Sequence, residues 1–196
     1  MELTDGTILL RRPTPADADV LIAAVRESQR EVGRWMAWAR ADYGRADVDA
    51  YVGSARHGDE PFLIIDRGSR MLLGGTGLNQ VDGANLRANL GYWVRTSATG
   101  RGVATRAARL VAWYGHVQLS LHRLELVVAV GNAASEAVAA KLGASVEGVL
   151  RDRLLVGSRH CDAAMHALLP GDTAGWAQRY GLRAWRGAGG ATAVPG

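Results

Sequence analysis

Apolar residues recur along the chain with two periods, one helical and one alternating, and the switches between them outline its elements. Residues 6–13 (GTILLRRP) read as an opening strand. After Pro15, which suits a helix start, Val20, Leu21, Ala24 and Val25 form a stripe at helical spacing across 16–27. A second helical stretch carries Trp35 and Trp38, and a third runs over 46–56. The apolar runs 61–66 (PFLIID) and 71–79 flank a Gly-Ser turn, which is a hairpin signal, and 89–94 (NLGYWV) is a further strand. Over 103–118, Ala104, Ala107, Ala108 and Val111 return to helical intervals. Residues 124–130 (LELVVAV) are nearly all apolar, as a strand covered on both faces should be. Ala134, Val138 and Leu142 mark a short helix that stops at Gly143. A closing hairpin pairs 146–156 with 160–169 around Gly157-Ser158. After Pro170 the composition shifts to Gly, Ala, Arg and Trp, predicting a loosely packed helix over 175–185 and a disordered end from Gly187. This mixture of hairpins with one strand–helix–strand unit predicts an α+β (mixed α/β) domain over 1–170 and a tail over 171–196.

Composition narrows the class. A chain of 196 residues that is 48% apolar and 21% charged can bury a core of its own. No apolar stretch reaches the ~18–20 residues of a membrane span, and the N-terminus lacks the layout of a secretion signal. A single cysteine, Cys161, excludes an internal disulfide and fits a reducing cytoplasm. The net charge of +4 fits a polyanionic ligand, whereas no basic block is interleaved with stacking aromatics, so direct nucleic-acid binding is not expected. His160, Cys161 and Asp162 are adjacent on a strand and point to opposite faces, so no metal is expected.

The segment richest in chemistry is the turn Thr99-Gly100-Arg101-Gly102, which opens a helix at Val103, Ala104 and Thr105. Such a turn presents free backbone N–H groups to an anion, the helix dipole adds partial positive charge, and glycine lets the anion approach the main chain. Arg101 and Arg106 add full charges nearby. The plainer alternative is a turn with Thr99 as cap. A Walker A loop needs a Gly-Lys pair, which the chain lacks. A dinucleotide fingerprint needs a third glycine where Thr105 stands, and an acidic residue where Val130-Gly131-Asn132 stand.

What remains resembles the GCN5-related N-acetyltransferase (GNAT) motif Gln/Arg-x-x-Gly-x-Gly/Ala: Gly102 and Ala104 match, while Thr99 departs at its first position. Leu90-Gly91-Tyr92-Trp93 ahead of the turn is similar to the Gly-Tyr-Trp strand of the RimJ/RimL branch. Asn132-Ala133-Ala134-Ser135, Lys141-Leu142-Gly143 and Glu147-Gly148 resemble that branch's later elements in order and spacing, with Ala144 in place of its usual Phe. The resemblance extends over most of 7–169. It implies a GNAT fold, with a mostly antiparallel twisted sheet of about seven strands, a splayed parallel pair and about four flanking helices. It also implies acetyl-CoA, or another acyl-CoA, as co-substrate. Main-chain groups of Leu90, Tyr92, Trp93 and Val94 would pair with the pantetheine arm, the amides of Arg101 to Thr105 would hold the pyrophosphate in a cofactor-binding turn that includes Thr99 and Gly100, and Asn132 and Ser135 would touch the coenzyme.

By the same resemblance, Asp82 is the first candidate for the base that accepts the amine's proton through water; the alternative is that Asp82-Gly83 simply makes a turn. Ser135 is the candidate proton donor to the departing thiolate, against a polar residue in a helix's first turn capped by Asn132. Trp35 and Trp38, with Asp82, are candidates for the acceptor pocket; such a Trp pair is more often plain core or an interface. The expected activity is transfer of acetyl to a primary amine, such as a protein or peptide N-terminus. A small-molecule acceptor, a succinyl donor and a non-catalytic acyl-CoA sensor are the alternatives. The apolar, Trp-bearing tail could cover a neighbouring subunit, so a homodimer is among the expectations.

Overall fold

The structure is a computed structural model in which residues 1–185 are described. Its elements run β1 (Glu2–Thr4), β2 (Ile8–Arg11), α1 (Ala18–Val32), α2 (Arg45–Gly53), β3 (Glu60–Asp66), β4 (Leu72–Asp82), β5 (Arg87–Val94), α3 (Val103–Val117), β6 (Arg123–Ala129), α4 (Ala133–Leu142), β7 (Ser145–Val156), β8 (Arg159–Leu168), α5 (Pro170–Thr173), α6 (Trp176–Tyr180) and β9 (Arg183–Trp185). One sheet takes the order β7-β8-β6-β5-β4-β3-β2-β1-β9. Its neighbours pair antiparallel except β5 with β6, which are parallel and joined through α3.

Alternation along the strands splits the buried side chains between two faces. Phe62, Ile64, Leu90, Leu124 and Leu126 join the larger core, which α3 closes with Ala107, Leu110, Val111 and Tyr114. Leu63, Ile65 and Trp93 join the smaller one, which α1 and α2 cover with Leu21, Val25 and Val48. Strand β3 is buried on both faces, and its sequence EPFLIID is accordingly almost unbroken apolar. Gly115 lets α3 settle closely on the sheet, because a Cβ there would meet Leu78 at 3.1 Å and Leu124 at 3.3 Å.

Local chemistry sets the helix ends. Before α1, the Asp17 carboxylate accepts from the Thr14 N–H at 2.8 Å and from the Arg11 guanidinium at 2.9 and 2.5 Å, a reciprocal cap that the Arg11 contact holds at a pKa of about 2. Asn132 caps α4 through its side-chain oxygen, and Gly143 ends it at φ +74°.

The sheet has nine strands rather than about seven. The two extra ones, β1 and β9, have three residues each and pair with one another through Glu2↔Trp185 and Thr4↔Arg183. The expected opening strand is thus the second arm of a hairpin. Trp35 and Trp38 do not lie on a helix: α1 ends at Val32 with Gly33 as its cap, and the following turns fold back over its end. A Cβ on Gly33 would meet the carbonyl oxygens of Gln29 at 2.4 Å and Ala39 at 2.6 Å. The helix expected over 175–185 is the short α6 followed by β9, and Trp176 and Leu182 are buried in the larger core. The end expected to be disordered, from Gly187, lies outside the described residues.

Candidate active site

The site begins where the parallel pair parts. β5 and β6 are in register at Arg87↔Arg123, Ala88↔Leu124 and Asn89↔Glu125, and there the ladder ends. β5 continues to Val94 and β6 to Ala129, so their facing edges open into a V. A bulge in β4 near its apex sets two residues, Gln80 (φ +52°) and Val81, against Ala88 alone and strengthens the local twist. A cleft of about 950 Å³ fills the V, walled by Leu90, Gly91, Tyr92 and Trp93 on one strand and Leu126, Val127, Val128 and Ala129 on the other.

On the α3–α4 face, Tyr92 from β5 and Ser135 and Asn132 from α4 line the cleft. The Tyr92 hydroxyl donates to the Ser135 carbonyl at 3.4 Å, spanning the V, and burial raises its pKa. The Asn132 side chain accepts from the Ser135 N–H at 3.2 Å, so Ser135 stands in the first turn of α4. Val94 is not among the wall residues, and the Trp93 ring belongs to the opposite face, leaving only its main chain for the coenzyme side.

Beyond the end of β5 the chain makes the glycine turn. Gly100 and Gly102 both take φ +74°, a region that only glycine enters freely. Among the described residues no acceptor meets the N–H groups of Gly100, Arg101, Gly102, Val103, Ala104 or Thr105. Thr99, Gly100, Arg101 and Gly102 are exposed, and a Cβ on either glycine would project into open space. The turn is braced from behind. Glu27 of α1 accepts from Arg95 at 2.6 Å and from the Ser97 N–H at 3.1 Å, Ser28 accepts from the Thr96 N–H at 3.0 Å, and Glu31 from the Thr96 hydroxyl at 3.1 Å. Arg106 is taken up by Asp5 at 2.7 Å, which leaves Arg101 as the exposed cation of the turn.

On the α1–α2 face the wall is aromatic: Trp35, Trp38, Tyr43, Tyr51 and Trp93. Trp38 meets Trp93 edge-on at 5.7 Å and Tyr43 at 5.9 Å. Gly75 makes this packing possible, since a Cβ there would lie 2.6 Å from Trp93 Nε1 and 3.2 Å from the Tyr51 hydroxyl. Burial pushes the Tyr43 phenol up to about 12 and the Tyr51 phenol higher still, so both stay neutral; Tyr51 donates to the Phe62 carbonyl at 2.9 Å. At the apex Asn89 donates to Asn79 at 2.9 Å, and both side chains line the cleft. Two carboxylates complete the wall, Asp47 and Asp59. Asp47 accepts from the Gly44 N–H and from Arg40, and these bonds lower its pKa.

Asp82 stands apart from this assembly. Its carboxylate accepts from the Asn85 side chain at 2.8 Å and from the N–H groups of Asn85 and Ala84 at 3.0 and 3.1 Å, with Arg87 at 3.3 Å. The Asn85 side chain above all, then these N–H groups and Arg87, hold its pKa below the usual carboxylate range, and it does not line the cleft. Sequence reasoning missed Asp59, Tyr43, Tyr51 and the Asn79–Asn89 pair. Only Asn89, inside the strand before the glycine turn, stood next to a recognisable signal. Among the described residues no group of three or more His, Cys, Asp or Glu could hold a metal ion, and no helix is long and apolar enough to cross a membrane.

A parted parallel pair beside an open N–H turn is an arrangement suited to a phosphate-bearing ligand held by main-chain groups. Residues 7–145 match the acetyltransferase (GNAT) domain family, and the chain belongs to it. It is similar to YdaF of Bacillus subtilis (strain 168), named "Putative ribosomal N-acetyltransferase", at 31% identity over 175 residues, covering 83% of this chain and 91% of that one. Among solved structures it is similar to Mycobacterium smegmatis RimJ in complex with CoA-disulfide, with a TM-score of 0.78, 27% identity and coverage of 88% and 87%. A ribosomal-protein-serine acetyltransferase structure from Vibrio cholerae shares the fold, with a TM-score of 0.77, 23% identity and coverage of 87% and 98%. The chain is thus an acetyl-CoA-dependent N-acetyltransferase of the RimJ/RimL-like branch.

Proposed function

We propose that this enzyme acetylates the terminal amine of a protein or peptide by direct attack within a ternary complex. The observation that carries the reading is the cleft itself, which reaches through the parted strands so that α4 residues and the aromatic wall share one cavity. The name of the B. subtilis relative, a ribosomal N-acetyltransferase, supports a protein acceptor. In this reading the free amides of residues 100–105 hold the pyrophosphate, and main-chain groups of Leu90, Tyr92, Trp93 and Val94 take the pantetheine arm. One N–H of β5 polarises the thioester carbonyl.

The ammonium of the acceptor loses one proton to water in the cleft, and its lone pair then attacks the carbonyl carbon. The tetrahedral adduct breaks its C–S bond, the nitrogen releases a second proton, and the thiolate takes one from Ser135 Oγ, which solvent replenishes. The Asn79–Asn89 pair orients the attacking nitrogen. Asp82 organises the β4–β5 turn and acts on the reaction only through it. The folded unit extends through β9 at Trp185, and the enzyme works in a reducing cytoplasm, a reading that the lone Cys161 supports.

Calorimetry with acetyl-CoA is expected to show one binding event; no heat at high micromolar concentration overturns the coenzyme reading. A panel of peptides and small amines, followed by release of free thiol, is expected to give turnover with peptide N-termini. Turnover confined to small amines overturns the acceptor.

A further inference from the structure

The cleft is unusual in what it omits. The sequence carries 23 lysines and arginines and 5 histidines and has a net charge of +4, yet among the described residues none of these side chains lines the cleft. The charges in its wall are two carboxylates, on the side where the amine enters. Asp47 is matched by Arg40 at 2.7 Å and by the Gly44 N–H at 2.9 Å, so little of its charge is free. Asp59 differs. It sits between the turn after α2 and the start of β3, half-buried, and its carboxylate has no hydrogen-bond or ion-pair partner among the described residues. The neighbouring Arg56 and His57 are exposed and make no ion pair with it.

An unpaired carboxylate in a cleft wall is free to pair with a cation that a ligand supplies, and the aromatic residues of the same wall offer π faces that favour the same sign of charge. The wall already shows this behaviour at its rim, where the Arg34 guanidinium lies 5.0 Å from the Trp35 ring. A carboxylate on the acceptor would meet like charge from Asp47 and Asp59 with no basic side chain to compensate it.

We propose that the acceptor carries a second positive charge close to the amine that is acetylated, and that Asp59 pairs with it. This rests on the reading of the cleft as an amine-acetylating site and adds the acceptor's charge class to it. A basic residue next to a peptide N-terminus and the distal ammonium of a small diamine present the same chemistry, and the test separates these two sources.

The test uses the intact chain with matched acceptors: Ala-Lys-, Ala-Ala- and Ala-Glu-initiated peptides of equal length, and 1,4-diaminobutane against n-butylamine, each followed by thiol release. The expected result is a kcat/KM at least about tenfold higher for the cationic member of a pair, expressed in KM and falling with added salt. In Asp59→Asn that ratio is expected to fall towards one, while acetyl-CoA affinity measured by calorimetry stays normal and shows the fold to be intact. Quenching of tryptophan fluorescence by 1,4-diaminobutane gives a readout independent of turnover and is expected to weaken in the same variant. Asp42→Asn, whose carboxylate lies outside the cleft on Arg40, is the control and is expected to keep the wild-type ratio.

A preference confined to the peptide series identifies a basic N-terminal segment as the source, and one confined to the diamine identifies a polyamine; either supports the pairing. Equal rates for Lys- and Ala-bearing acceptors, a preference for the Glu peptide, or an unchanged ratio in Asp59→Asn overturns it. Normal acetyl-CoA binding with turnover of neutral acceptors would then leave the underlying reading standing. Absence of both would remove the two together.

Discussion

In the proposed reading, the coenzyme and acceptor regions of the site recognise their ligands with different parts of the polypeptide. On the coenzyme side, the turn after β5 offers six main-chain N–H groups without acceptors among the described residues, shaped by two glycines at φ +74°. On the acceptor side the work is done by side chains: Trp35, Trp38, Tyr43, Tyr51 and Trp93, with Asp47 and Asp59. Main-chain recognition depends on backbone shape and tolerates change in side chains, which is why Thr99 can replace the usual residue of the motif. Side-chain recognition changes with each substitution. A single fold can therefore keep one co-substrate while its acceptors vary.

Substitutions on either side of this divide can break it, beginning with the largest expected effect. Gly102→Val places a β-branched residue at φ +74°, a conformation costing ~1–2 kcal/mol, with its side chain in the space the phosphates need. Acetyl-CoA affinity by calorimetry is expected to fall about a hundredfold while fluorescence quenching by an acceptor survives; normal affinity would move the phosphate site elsewhere. Next, Ser135→Ala is expected to lower kcat by about one to two orders of magnitude with little change in either KM. An unchanged kcat would remove Ser135 as proton donor.

On the acceptor side, Gly75→Ala drives a Cβ into the contact with Trp93 and Tyr51 and is expected to cost ~1–3 kcal/mol of stability. Thermal unfolding should record this, with a severalfold rise in acceptor KM and an unaltered acetyl-CoA affinity. A shift in the coenzyme alone would mean that the halves are not separable. The smallest effect is expected for Asp82→Asn, with kcat/KM at pH 7 within about twofold of the parent; a loss beyond tenfold would restore Asp82 as the base. Because its folded pKa is depressed, Asp82 contributes stability above the ordinary carboxylate range near 4 and loses it as pH falls through the lower folded value. The parent and the variant should therefore converge in Tm as the pH is lowered.

Legibility in the sequence followed the same divide. The elements around the glycine turn were readable because a turn, a helix and a doubly buried strand are local patterns, and α3 and β6 lie within a residue or two of their expected bounds. Ser135 was placed by the Asn132 cap, another local signal. The acceptor half depends on distant approaches. Trp35 and Trp38 looked helical by spacing, but the close passage of Ala39 over Gly33 decided their geometry, and no periodicity reports that. Asp59 in Gly-Asp-Glu carried no motif; its lack of an ion-pair partner among the described residues follows from the tertiary arrangement. β1 and β9, three residues each, are too short to alternate visibly and exist because they pair across almost the whole chain. Asp82 was noticed for its position, yet Asn85 and Arg87, only a few residues on, hold its carboxylate in a turn.

Helix α1 touches both substrates' territories. Its Glu27, Ser28 and Glu31 brace residues 95–97, and within a few residues of them the chain enters the loop that bears Trp35 and Trp38. A rigid rod anchored at one site and leading straight into the other acts as a mechanical link. Filling the phosphate cradle is expected to damp the turn, steady the end of the rod and restrict the indole loop before the amine arrives. The amine then meets a pocket whose ordering entropy has already been spent. The thermodynamic counterpart is reciprocal coupling: bound coenzyme tightens acceptor binding, and bound acceptor tightens coenzyme binding by the same factor.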